Sequence, residues 1–225
     1  MGGQACVLYG AAEFSRDLDI LVLVEDAELD RLSGALIELN AEQIAVPAFS
    51  AENLRRGHAV HFRCRRDDVN GLRIDVMSSL RGLPGFEDLW ERRTSFEIAG
   101  ENIDVLSVAD LVQAKKTQRD KDWPMIRRLV EQSYFSAGSE PRKELVEFWL
   151  RELRTPELLM EVCKRFPGVP GVTRPAVAAS LAGDFQEVAK RLDDEERVER
   201  RLDQEYWLPL KRELEELRMS RRGGV

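Results

Sequence analysis

Gly2-Gly3-Gln4-Ala5-Cys6-Val7-Leu8-Tyr9-Gly10-Ala11-Ala12-Glu13-Phe14-Ser15-Arg16-Asp17-Leu18-Asp19-Ile20 is the stretch on which the reading of this 225-residue chain turns. It runs on into Leu21, Val22, Leu23 and Val24, an almost unbroken apolar series. Such a series reads as a β-strand covered on both faces, so a central strand is expected from Leu18 to Val24. Side chains on a strand alternate with period 2, and Asp17 and Asp19 therefore project to one side. Two hard carboxylates at one strand end can hold Mg²⁺, an ion that completes its shell with water and substrate phosphates. Ahead of them, Gly2-Gly3 reads as a turn, followed by a short helical segment to Tyr9 and a break at Gly10. A glycine turn lets backbone N–H groups approach the same phosphates. These two elements are the parts that a nucleotide-transfer site needs.

Working outward, Asp26 opens a helix with acidic residues in its first turn and apolar positions at Leu29, Leu32, Leu36 and Leu39. Two strand-like segments, His58 to Cys64 and Leu72 to Met77, flank the turn-forming Asp67-Asp68-Val69-Asn70-Gly71 and predict an antiparallel hairpin. Thr94 to Ile98 and Ile103 to Leu106 predict a second hairpin, which completes the sheet. From Ser107 the pattern is helical, with Ser107 as the capping residue and Asp110 three positions later. A helix from Met125 to Tyr134 follows Pro124. Ala137 to Pro141 reads as a linker, with further helices near Pro141 to Leu153 and Pro156 to Arg165. A Pro/Gly-rich break is expected over Pro167 to Pro175, and charged helices over about Arg174 to Arg218. The expected architecture is α+β: a mixed β-sheet with flanking helices over residues 1–136, then an α-helical C-terminal region over 137–225.

Composition narrows the function classes. Net charge is −7 and 33% of residues are charged, which argues against a broad nucleic-acid-binding surface and leaves local basic clusters such as Arg63, Arg65 and Arg66. No apolar run approaches the roughly 20 residues that a bilayer demands, and no basic-plus-apolar leader is present, so a cytoplasmic protein without membrane partners is expected. Cys6, Cys64 and Cys163 are far apart and form no Cys-x-x-Cys pair, so they are read as reduced and structural. His58, His61 and Cys64 do not form a metal set on one strand, since His61 faces away from the other two. Tyr9 and Phe14 are read as packing residues, and Ser15 as a hydroxyl that supports the turn into Asp17, with phosphate contact as its sharper alternative.

The combination of Gly2-Gly3, thirteen intervening residues (4–16) and Asp17-Leu18-Asp19-Ile20 resembles the nucleotidyltransferase superfamily that includes DNA polymerase β. The longer string is similar to bacterial minimal nucleotidyltransferases and to the nucleotidyltransferase toxins of abortive-infection systems. The resemblance covers about residues 1 to 135 and implies the nucleotidyltransferase fold. It implies a third carboxylate at Asp75, within Leu72-Arg73-Ile74-Asp75-Val76, and a lysine, Lys115 or Lys116, reaching the triphosphate from the helix Asp110-Leu111-Val112-Gln113-Ala114-Lys115-Lys116. Gly2, Gly3 and Ser15 would accompany these as nucleotide-binding residues. Asp17, Asp19 and Asp75 would hold two Mg²⁺ ions, or Mn²⁺, for transfer of NMP from an NTP such as ATP to a hydroxyl acceptor. A tRNA 3′ end, a protein hydroxyl and a small molecule are all compatible acceptors, and an antitoxin or a second copy of the chain is a compatible partner.

The chain departs from the family pattern at Glu13, where relatives commonly carry arginine, a role that would pass to Arg16. Relatives also carry a helix and strand ahead of the glycine pair, which implies a longer natural N-terminus. The competing reading is a catalytically degenerate binding or interaction module of the same fold, with Asp75 merely paired to Arg73 or Arg63.

Overall fold

A computed structural model describes residues 1–167 and 173–223. The chain divides into two compact units. One comprises residues 1–8 and 12–114 together with the chain from Glu205 onward; the other comprises Tyr9–Ala11 and Lys115–Gln204. Residues 115–136 thus fall with the helical unit.

The first unit contains α1 (Gly2–Leu8), β1 (Asp17–Leu21), α2 (Asp26–Glu38), β2 (Ala41–Gln43), α3 (Ala51–Arg55), β3 (Val60–Cys64), β4 (Arg73–Met77), α4 (Phe86–Glu91), β5 (Thr94–Ile98), β6 (Glu101–Val105) and most of α5 (Val108–Lys115). Four strands form a mixed sheet in the order β1-β4-β3-β2. β1 pairs with β4 in parallel, while β3 is antiparallel to both β4 and β2. A parallel β1/β4 pair needs a crossover connection, and α2 with α3 supplies it on one face.

That face is the core. Leu18, Ile20 and Val22 from β1 meet Ile74 and Val76 from β4 and Val60, Phe62 and Cys64 from β3, beneath Leu29, Leu32, Leu36 and Leu39 of α2 and Leu54 of α3. The helical spacing of the α2 leucines and the period-2 spacing of the strand residues bring all of them to one layer. Asn40, at φ 47°, turns the chain out of α2 and into β2, a left-handed conformation that asparagine tolerates better than most residues.

Three expectations are corrected. β1 is an edge strand and not a central one, and all five of its residues are only half-buried. Its apolar run is misleading because Asp17 and Asp19 occupy the alternate positions, where a strand covered on both faces has no place for unpaired carboxylates. The second hairpin, β5 with β6, forms its own two-stranded sheet and does not extend the first. Its turn is Ala99-Gly100, both at positive φ, as a tight two-residue hairpin requires. The glycine pair, expected as a turn, instead begins α1.

The second unit is built from α6 (Asp122–Phe135), α7 (Lys143–Glu152), α8 (Pro156–Arg165), α9 (Pro175–Leu181) and the first part of α10 (Phe185–Gly223). Ile126, Leu129, Val130, Trp149, Leu153, Leu159, Val162 and Val188 are its most buried apolar residues. Tyr134 packs edge-to-face on Trp149 at 5.1 Å. Of the break expected over Pro167 to Pro175, residues 168–172 lie outside the described residues. All three cysteines are buried and none is in a disulfide. Among the described residues, no helix is long and apolar enough to cross a membrane.

Leu54 is fully buried beneath the sheet, so Leu54→Ala should lower the unfolding free energy by about 2–5 kcal/mol. Urea denaturation monitored by circular dichroism measures this, and a loss below about 1 kcal/mol would contradict the packing.

Candidate functional site

The face of the four-stranded sheet opposite α2 carries charge. Asp17 lies opposite Arg73 and Asp19 opposite Asp75 across the β1/β4 pair, while His61 faces Asp75 and Arg63 faces Arg73 across β3/β4. Residues in register share a face, so one surface gathers Asp17, Asp19, Arg73, Asp75, His61 and Arg63.

Asp75 is the most enclosed of the carboxylates, at 8% exposure. Its Oδ1 accepts a hydrogen bond from Arg73 Nε at 2.7 Å and lies 2.8 Å from His61 Nδ1. Arg73 Nη2 also lies 3.2 Å from His61 Nδ1. One ring nitrogen cannot both donate and accept; the closer carboxylate makes Nδ1 the protonated one. Burial pushes the Asp75 carboxyl up, but the hydrogen bonds from His61 and Arg73, with their charges, outweigh it and hold it below the ordinary carboxylate range. The hydrogen bond to Asp75 raises Arg73 against the opposing effect of burial, and the charges of Asp17 and Asp19 act in the same direction. A single guanidinium thus answers to three carboxylates.

The N-terminal glycines close onto this surface. A Cβ on Gly2 would lie 1.8 Å from Asp19 Oδ2, and one on Gly3 would lie 2.3 Å from Ser15 Oγ. Gly2 also sits at φ +72°, which disfavours any side chain. The Gly3 N–H points to Asp19 Oδ2 at a long 3.4 Å, and the Met1 nitrogen donates to the Asp19 carbonyl at 2.9 Å. Ser15 Oγ donates to the Asp17 carbonyl at 3.0 Å, while Gln4 Nε2 donates to the Ser15 carbonyl at 3.1 Å. The loop from Gly10 to Arg16 therefore brings the glycine pair back onto the start of β1. Glu13, Phe14 and Arg16 are exposed. Arg16 lies over the Phe14 ring, 6.0 Å from its centroid.

Gly2, Gly3, Ser15, Asp17, Asp19 and Asp75 accordingly come together. Lys115 and Lys116 belong to the helical unit, each buried in an ion pair. Lys115 Nζ donates to Asp122 Oδ1 at 3.1 Å and Lys116 Nζ to Glu152 Oε1 at 2.8 Å. Burial pushes the Asp122 carboxyl up, yet the charge of Lys115, the hydrogen bond from Thr117 and the charge of Arg119 prevail, leaving it below its ordinary value.

His61 is the site residue that sequence reasoning missed. Along its own strand His61 faces away from His58 and Cys64, and its partner lies on β4. Counting back from a turn at residues 67–71 would set Arg63 opposite Asp75; the strands instead close at Cys64 and Leu72, and that longer loop brings His61 opposite Asp75.

Among the described residues, no three His, Cys, Asp or Glu side chains converge as a ready ligand set for a metal. The donor chemistry nevertheless suits a hard divalent cation. Both contacts to Asp75 fall on Oδ1 and leave Oδ2 unused. Asp17 and Asp19 are in no ion pair among the described residues. Comparisons with protein-family models, with curated proteins and with solved structures give no match for this chain.

Two outcomes follow from this geometry. Gly2→Ala should displace the Asp19 carboxylate and cost about 1–3 kcal/mol, the scale of backbone strain or overpacking; an unchanged melting temperature would contradict the close approach. For Asp122, whose folded pKa is depressed, the stability linked to its ionisation is complete above the unfolded value near pH 4 and is lost as pH falls through the folded one. Asp122→Asn should therefore flatten the acid limb of a plot of urea midpoint against pH, and a limb identical to that of the wild type would refute the pairing.

Proposed function

We propose that this chain is a Mg²⁺-dependent nucleotidyltransferase that moves NMP from an NTP to a hydroxyl acceptor. The observation carrying this reading is the closure of Gly2 and Gly3 onto Ser15 and Asp19, with Asp75 in register beside Asp19. A glycine pair with no room for a Cβ, set against carboxylates on adjacent strands, provides both backbone N–H groups and hard oxygen donors at one place. Nothing in the core requires that juxtaposition, because all these residues lie on the face away from α2.

Asp17, Asp19 and the free Oδ2 of Asp75 would hold Mg²⁺, which supplies charge neutralisation at the phosphates and lowers the pKa of a bound hydroxyl. Ser15 anchors the start of β1 through the Asp17 carbonyl, so the two β1 carboxylates keep a common direction. Arg73 and His61 hold Asp75 ionised, the form that binds a cation, and its Oδ2 would serve either as a Mg²⁺ ligand or as the group that takes the acceptor's proton. The acceptor is a molecule bearing a hydroxyl group, whether a nucleic acid end, a protein or a small molecule.

A second reading is favoured by one observation. Asp75 already has a cationic partner in Arg73, which is how a binding module that has lost catalysis would satisfy a buried carboxylate.

Asp75→Asn separates the two. For the enzyme, NTP affinity should stay within a few-fold while transfer falls by at least about a hundredfold, the lower scale for loss of a catalytic acid or base. For the binding module, the melting temperature should fall with no selective effect on chemistry. Labelled NTP, Mg²⁺ and a cell extract provide the transfer assay, and calorimetry provides the affinity. Replacing both Asp17 and Asp19 by Asn should abolish Mg²⁺-dependent NTP binding with the fold retained, and persistent binding would place the nucleotide elsewhere.

A further inference from the structure

The helical unit holds a second concentration of charge. Arg154, between α7 and α8, and Arg174, ahead of α9, each have side chains only 8% exposed, and Lys116 is also buried. Glu152 and Glu195 pair with them directly, and the charge of Glu199 also acts on Arg154. Lys116 pairs with Glu152, and Arg174 donates through Nε and Nη2 to Glu195 Oε2 at 2.9 and 2.8 Å. Arg174 is fully used, since Nη1 and Nη2 also reach the carbonyls of Leu150 and Leu153 at 2.9 Å each.

Arg154 is not fully used. Its Nη1 donates to Glu195 Oε2 at 3.1 Å, Nη2 stands 3.7 Å from Glu152 Oε2, and its buried Nε has no hydrogen-bond partner. Burial and the neighbouring charge of Arg174 hold Arg154 below the ordinary guanidinium range despite Glu152, Glu195 and Glu199. Its guanidinium also lies over the Trp123 ring, 5.5 Å from the centroid, so the contact left unmade is the one at Nε, and a buried donor without a partner is costly.

The cluster borders a cavity of about 510 Å³, which Arg151 and Arg191 also line. Their side chains are 52% and 44% exposed. That volume lies within the roughly 300–1,000 Å³ of small-molecule sites. Five cationic side chains and four carboxylates line the cavity, and the two rim arginines also pair outside it, Arg151 with Glu147 at 3.7 Å and Arg191 with Glu187 at 2.7 Å.

We infer that this cavity binds a small phosphate-bearing molecule, its phosphate facing Arg154 with Arg151 and Arg191 at the rim. Guanidinium forks match the paired oxygens of a phosphate in a way that a point charge does not. A cavity several times the size of the phosphate group leaves room for an organic remainder. The inference uses none of the strand-end carboxylates; it shares with the nucleotidyl-transfer reading only Lys116, which lines the cavity.

The test is calorimetric titration of the full chain with glycerol 3-phosphate, inorganic phosphate and acetate. EDTA is present and ionic strength is held with sodium chloride. Saturable binding of one equivalent of the phosphate ester is expected, tighter than inorganic phosphate and much tighter than acetate. Arg154→Met should weaken it by about tenfold or more, the scale of a lost charge-assisted hydrogen bond. Arg151→Ala, on the exposed rim, should weaken it severalfold and decides the matter if Arg154→Met does not fold. Asp17→Asn should leave it unchanged. The inference is overturned by any of four results: no saturable binding, acetate binding as tightly as the ester, affinity indifferent to the arginine substitutions, or loss of binding in Asp17→Asn.

Discussion

The charge balance on one face of the four-stranded sheet is the constraint from which the rest of the first unit follows. Parallel pairing of β1 with β4 sets Asp17 beside Arg73 and Asp19 beside Asp75, so three carboxylates share one surface with a single close guanidinium. The opposite face of the same strands is the core. A slip of one residue in register would turn the carboxylates into the apolar layer and Leu18, Ile20, Ile74 and Val76 out of it. The hydrophobic effect therefore specifies the placement of the charged residues, although none of them contributes to the core. The apolar layer stabilises the arrangement, and the polar face carries the residual electrostatic cost.

How that cost is met explains the asymmetry among the carboxylates. Asp75, on an interior strand, is buried and needs partners; it has Arg73 and His61. Asp17 and Asp19, on the edge strand, are half-exposed and remain solvated, so they tolerate the absence of an ion pair. Placing β1 at the edge is thus what permits two carboxylates, in no ion pair among the described residues, to sit two residues apart. The expectation of a central strand and the expectation of an open carboxylate pair on it were in conflict, and the structure resolves the conflict in favour of the carboxylates.

Much of this was legible in the sequence. The α2 leucines, the hairpin around residues 67–71, the second hairpin and the capping role of Ser107, whose Oγ accepts from the Asp110 N–H at 3.2 Å, all rest on local spacing. The association of Gly2-Gly3 with Asp17-Leu18-Asp19 was legible as a pattern, and the missing Cβ atoms give it a steric reason. Long-range facts were not legible. No local pattern tells that β1 ends the sheet, that β5 and β6 pair only with each other, or that Lys115 reaches Asp122 and Lys116 reaches Glu152. A lysine in a helix reads the same whether its ammonium meets water, a ligand or a buried carboxylate, because its partner is chosen by elements brought in from elsewhere in the chain.

The lysines show how buried charge is arranged in a chain this rich in it. Asp122 is fully enclosed and takes Lys115, Thr117 and Arg119 as partners at once, so its negative charge is over-answered locally. Asp203 in turn accepts from the Gln118 backbone N–H, and Arg200 bonds to both the Gln118 carbonyl and Asp120. The segment between α5 and α6 is thereby held by polar contacts at nearly every residue from Lys115 to Asp122, with Trp123 donating to the Thr117 carbonyl. Such a network adds little net stability, because each ion is desolvated to enter it, but an incomplete version of it is heavily penalised. Its physical role is to exclude alternative conformations of a short connection that has few apolar residues of its own. In this short connection, then, buried charge adds to what apolar packing specifies in the rest of the unit, and both lysines are members of that network.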